Sequence, residues 1–238
     1  MNTVRVSLFF VFSLLILPVM GQISIGFYIG GQKTQFTNNQ VNLTAYKYRP
    51  TYGWNAGFTT RIPLGKQKGL YTFPGISYQG QKYANVEQMK DSTGVINDIT
   101  SYTRKFDFAY LKLPIAFYIE PEISNTLSFF AFGGPQLAML LQANYILDGD
   151  TLIDTEITLR DKMKPLDLDF AGGLGINVST GKQSKFFAVF RFDVSLLDAE
   201  KKEFKPQVYA LSKNLTYGIN FGYEFMIGTK EKSKKATP

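Results

Sequence analysis

The chain has 238 residues, of which 45% are hydrophobic, 15% aromatic and only 19% charged, and it carries a formal net charge of +7. It contains no histidine and no cysteine. That excludes the commonest general base, the commonest transition-metal ligand, thiol chemistry and a disulfide framework.

The N-terminus comes first. Met1–Arg5 carries one positive charge, Ser7–Leu17 is a short apolar run, and Val19 and Gly21 are small. Charged, apolar and small-residue regions in that order predict a secretory signal over residues 1–21, with a mature start at Gln22. No cysteine follows the run, so a lipoprotein anchor is not expected. Beyond it no apolar stretch reaches the ~18 residues of a membrane-spanning helix.

From Gln22 onward the pattern has a period of two, the signature of strands with one apolar face. Eight strands are predicted, near 23–33, 52–62, 69–84, 103–119, 126–144, 165–179, 185–197 and 213–227. The first alternates only as far as Ile29. In the second, Trp54, Ala56, Phe58 and Ile62 oppose Asn55, Gly57, Thr59 and Arg61. In the fourth, Leu111, Leu113, Ile115, Phe117 and Ile119 oppose Lys112, Ala116 and Tyr118, and the face of Arg104–Tyr110 is displaced by one, which predicts a bulge near Tyr110. In the sixth, Leu166, Leu168, Phe170, Leu174, Ile176 and Val178 oppose Asp167, Asp169, Ala171, Gly173, Gly175 and Asn177. In the seventh, Phe186, Phe190, Phe192 and Val194 oppose Phe187, Val189, Arg191, Asp193 and Ser195. In the eighth, Leu215, Tyr217, Ile219, Phe221, Tyr223 and Phe225 oppose Asn220 and Glu224. Pro74, Pro114 and Pro135 fall inside strands, where each predicts a bulge.

The connections alternate in length. Pro63–Gly69, Glu120–Asn125 and Thr180–Ser184 are short and hold turn residues, whereas 34–51, 85–102, 145–164 and 198–212 are long and polar. Short turns at one end and long loops at the other predict an all-β fold: an eight-stranded antiparallel up-and-down transmembrane β-barrel with short periplasmic turns and long extracellular loops. The barrel is expected over 22–228, followed by a basic tail at 229–238.

Alternation alone does not say which face points outward, so a soluble lipocalin-like ligand-binding barrel is the alternative. Three features favour lipid: the regular rhythm, the density of Phe and Tyr on single faces, and aromatics near strand ends, namely Trp54, Tyr118, Tyr145, Phe186, Tyr223 and Phe225. With the apolar faces outward, Arg61, Lys112, Asp167, Asp169, Arg191, Asp193 and Glu224 line the lumen as a structural polar network. Arg191 is expected to bridge Asp169 and Glu224 and so plug the barrel. The inward glycines suit an interior only just wide enough for side chains.

An ordered set of motifs resembles the PorT-family outer-membrane β-barrel domain of the Bacteroidetes. It comprises Tyr110, Leu111 and Pro114; Gly134 and Pro135; Asp169, Phe170, Gly173 and Gly175; Arg191 and Phe192; and Gly222, Tyr223 and Phe225. Ala171 stands where that family commonly has glycine, and thirteen residues follow Phe225, where such barrels often end. The resemblance implies fold and compartment, and through the founding member a link to type IX secretion. The function expected is non-enzymatic, structural or accessory, acting through the loops in secretion or surface adhesion. An outer-membrane enzyme of the small-barrel type is the alternative, for which no base can be placed beside the Asp and Ser residues. No catalytic residue, cofactor or metal ligand is predicted. The partners expected are outer-membrane lipid, the barrel-assembly machinery during biogenesis, and secretion-system or surface partners, with no nucleic acid. The carboxylates of Asp148–Glu156 lack the spacing of a calcium loop, and Gly172–Gly175 precedes neither a lysine nor a helix start.

Overall fold

The computed structural model describes residues 23–36, 49–90, 96–149, 152–158, 160–199, 201 and 213–227. The expected signal segment, the basic tail and the stretches 37–48 and 202–212 of two long connections lie outside them, as does the side chain of Tyr145.

The strands, in chain order, are β1 (Ile23–Phe36), β2 (Arg49–Pro63), β3 (Lys68–Thr72), β4 (Gly75–Lys90), β5 (Ile96–Pro114), β6 (Ala116–Ile119), β7 (Leu127–Gly149), β8 (Leu152–Thr158), β9 (Leu166–Ser179), β10 (Ser184–Ser195) and β11 (Asn214–Ile227). All pairings are antiparallel, and they close. β1 pairs with β11 from Ile23↔Ile227 to Phe36↔Asn214 and with β2 on its other side. With β3 and β4 counted as one wall strand and β5 and β6 as another, the ring has eight members. β8 stands outside the ring, paired to the end of β7.

Two prolines explain why the β5–β6 wall strand is interrupted. A strand residue's N–H and C=O point to the same side, and the Pro135 carbonyl accepts from Ile115 N at 2.9 Å. The donor that Pro135 lacks therefore also faces Ile115, where β5 ends at Pro114. The Thr72 hydroxyl donates to the Pro114 carbonyl at 2.7 Å. Pro74 lies between β3 and β4, its carbonyl accepting from Phe58 N. Pro74 and Pro114 thus sit at breaks rather than at the bulges expected, and Pro135 stays inside a continuous β7, opposite the break in its neighbour.

The register shift near Tyr110 is real, but its extra residue is Leu141 on the neighbouring β7: Ala109 pairs with Gln142, and Tyr110 with Leu140. β5 keeps its alternation, so Phe108 and Tyr110 turn inward beside Lys112. Two of the long connections also differ from expectation. Much of 85–102 continues as a β4–β5 ladder, Asn85↔Tyr102 through Lys90↔Ile96, and 145–164 contains the β7–β8 hairpin. Polar residues hid these extensions because beyond the bilayer neither face needs to be apolar. β1 shows the same effect: it runs on to Phe36, with Gln32 and Thr34 inward and Lys33 over the Tyr52 ring.

The apolar faces point outward. Phe27 and Ile29 on β1, Trp54 and Phe58 on β2, Ile115 and Phe117 about the break, Leu174 on β9, Phe190 on β10, and Ile219 and Phe221 on β11 are all exposed. A continuous apolar surface of this kind marks contact with lipid rather than water. Of the aromatics expected at strand ends, Trp54 stacks on Tyr78 and Tyr223 packs against Phe225. Tyr118 does not belong with them: it is buried and faces the lumen, as its even position beside Lys112 and Ala116 requires.

Candidate functional site

All seven predicted lumen residues are buried. The structure sorts them by depth, which alternation cannot do. At the short-turn end Arg61 on β2 is the hub. Its Nε donates to Glu224 at 3.0 Å, its Nη1 to Glu120 at 3.0 Å and its Nη2 to Asn177 at 3.2 Å. Lys185 completes the group, donating to both oxygens of Glu120 at 3.1 Å and standing 3.6 Å from Glu224. Ser128 and Asn177 also donate to Glu120.

Higher in the lumen a second network runs through β5, β10, β7 and β9. Asp193 accepts from Arg191 Nε at 2.8 Å and Nη2 at 2.9 Å, and from Lys112 Nζ at 2.7 Å. Arg191 also donates to Gln136 at 2.8 Å, and Gln136 donates to Asp169 at 2.7 Å. Asp167 accepts from the Ser195 hydroxyl. The expected bridge from Arg191 to Asp169 and Glu224 is therefore incorrect. Arg191 lies opposite Gly218, whereas Glu224 is six residues along β11, opposite Lys185. At ~3.3 Å per residue that is roughly 20 Å away, beyond any side chain. Asp169 is reached only through Gln136.

An aromatic layer joins the two networks. Tyr28, Tyr71, Phe73, Tyr118, Phe130, Phe132 and Phe187 form one buried cluster. The Arg61 guanidinium lies 4.2 Å from the Phe130 ring centre and 4.9 Å from that of Tyr71, and the Arg191 guanidinium 4.5 Å from that of Phe73. Contacts of this kind stabilise a desolvated cation. The rings fit because the facing strands carry glycine. A Cβ on Gly175 would meet Phe130 at 2.6 Å, and one on Gly222 would meet Phe187 at 2.2 Å. Beside Asp167 and Asp169 lies a cavity of about 10 Å³, lined also by Tyr110, Lys112, Ser195 and Thr216. It has room for about one water.

Sequence reasoning missed three parts of this interior. Lys185, the first residue of the predicted seventh strand, shares the inward parity of Phe187 and Arg191, so its signal is present in the alternation. Glu120 sits in a turn, where alternation says nothing. The inward aromatics of β3 and β7 carry no local sign of their side, because an aromatic residue suits the lipid face as well as a packed lumen. Among the described residues no group of three or more carboxylates is placed to hold a metal.

Glu120 lies beyond the end of β6. Partial burial pushes its carboxyl up, but Arg61 and then Lys185 outweigh that and hold it below the ordinary carboxylate value. A depressed folded-state pKa contributes stability that is present above the unfolded value and lost as pH falls through the folded one. The urea midpoint of the barrel in detergent is therefore expected to fall on acidification below about pH 4. Glu120→Gln should flatten that fall, and an unchanged profile in this variant would refute the assignment.

A closed ring with an apolar outside and a filled, ion-paired inside defines a membrane-spanning β-barrel without an open pore. The chain belongs to the outer membrane protein beta-barrel domain family, whose model matches residues 17–200. This makes it a protein of the bacterial outer membrane. Among solved structures it is similar to Neisserial surface protein A (8% identity, covering 87% of this chain and 99% of that one, TM-score 0.49). It is also similar to OprG of Pseudomonas aeruginosa (12%, 87% and 97%, 0.45) and to Ail of Yersinia pestis (12%, 86% and 99%, 0.38). No curated protein matches the sequence.

Proposed function

We propose that the protein is a non-conducting, non-catalytic outer-membrane barrel of the PorT type. In this reading its short turns face the periplasm and its activity resides at the long-loop end, as an accessory to secretion or in surface adhesion. One observation carries the proposal: the aromatic layer lies against Arg61 on one side and Arg191 on the other, so the lumen is closed by side chains. With no conduit through the wall, the ends of the barrel are what remains for function. The β7–β8 hairpin and the β4–β5 ladder add hydrogen-bonded structure at the long-loop end, a framework on which a partner can dock. The non-catalytic reading is supported by Ser195, whose single hydroxyl proton is shared between acceptors on Asp167 and the Leu197 carbonyl, with no histidine in the chain to activate it.

Planar-bilayer recording of the purified full chain tests the proposal. No steady conductance is expected, and stable channel steps would overturn it. Orientation is read separately. A tag inserted at 150–151 should be labelled on intact cells and one after Pro238 should not; the reverse pattern would invert the barrel.

A further inference from the structure

Lys66, Gln67 and Lys68 line an open groove of about 600 Å³ together with Ile119 and Pro121 at the neighbouring short turn. The turns are tied together: Lys68 pairs with Ile119, Leu64 N donates to the Lys68 carbonyl at 2.9 Å, and Glu120 N donates to the Gln67 carbonyl at 2.7 Å. These bonds hold the two segments together, which lowers the cost of ordering their backbone on binding.

Charge and apolarity then specify what fits. Neither Lys66 nor Lys68 has a carboxylate partner among the described residues, whereas the buried Lys112 and Lys185 are both paired. The nearest turn carboxylate, Glu120, is committed inward to Arg61 and Lys185. Glu122 does not line the groove. Exposed Leu64, Ile119 and Ile123 continue the lipid-facing belt down to this point. Two unneutralised ammonium groups at the lower margin of an apolar surface match an amphiphile with an anionic head.

We propose that this groove binds the phosphate head group of an anionic phospholipid, with Lys66 and Lys68 holding the phosphate and Ile119 and Pro121 lying along the first acyl segments. The proposal rests on the reading that the short-turn end meets the phospholipid leaflet. It is tested in detergent, where orientation plays no part, so its failure is distinct from a failure of the topology.

The full chain is released from micelles containing equal amounts of phosphatidylglycerol and phosphatidylcholine, and retained lipid is counted by native mass spectrometry. The expected result is selective retention of phosphatidylglycerol, by about fivefold for each lysine. Lys66→Gln, in the exposed turn, and Lys68→Gln, at the exposed start of β3, should each lower the preference, and together they should abolish it. Lys182→Gln, in another turn, should leave it unchanged. Equal retention of the two lipids, or a double variant that behaves like the parent, would overturn the proposal. So would displacement of the lipid by excess inorganic phosphate, because the site would then recognise an anion alone.

Discussion

Arg61→Leu is expected to lower the stability of the folded barrel in detergent by about 3–5 kcal/mol, the usual consequence of removing one partner from a buried ion pair. The reason is local. Glu224 is fully buried, and Arg61 supplies its hydrogen bond. Without the guanidinium, Lys185 alone faces two carboxylates, and it stands 3.6 Å from Glu224. The Asn177 contact and the stacking on Phe130 are lost as well. Urea unfolding followed by the fluorescence of the single tryptophan, Trp54 in the outer belt, measures the loss. The double variant Arg61→Met with Glu224→Gln should recover part of it, because no charge is then stranded. A loss below about 1 kcal/mol would place Arg61 among ordinary surface positions and refute the hub.

The second large effect contrasts neighbours on one strand. Arg191→Leu should cost about 3 kcal/mol, toward the lower end of that range because Lys112 still neutralises Asp193. It also leaves the Gln136 amide oxygen without the donor it now has. Arg191→Lys should fall between the two, since an ammonium keeps the charge but not the paired geometry on Asp193. Phe190→Leu, one residue away, should cost well under about 1 kcal/mol, because hydrocarbon contacts leucine as readily as phenylalanine. Phe190 is 48% exposed on the outer face, whereas Arg191 is buried. A mild Arg191→Leu together with a severe Phe190→Leu would mean that the faces are exchanged.

The pattern that predicted those faces was legible because every wall strand meets two solvents of opposite character. Lipid outside and a crowded polar interior oblige successive residues to differ, so Arg191, Asp193, Asp167 and Asp169 could be assigned inward from the sequence. Where the opposition ends, the signal ends. Beyond Ile29 on β1 and along the β4–β5 ladder the strands continue, yet their residues no longer alternate in polarity. Inward aromatics such as Phe130, Phe132 and Tyr71 reversed the usual meaning of an aromatic, and only the facing Gly173 and Gly175 hinted at the space they fill.

By itself, then, the sequence determined the number of wall strands, their parity and the inward side of seven charged residues, because these depend only on a period of two and on turn chemistry; Lys185 and Glu120 were not among the seven. Partner choice was decided by the tertiary structure. Arg191 reaches Asp193 rather than Glu224, and Arg61 gathers Glu224 with Glu120, because stagger between strands sets the depth of each residue along the barrel. That stagger depends on where the ring closes, Ile23 opposite Ile227, and on the shift at Leu141. Both are pairings between residues distant in the chain, and no local pattern encodes them.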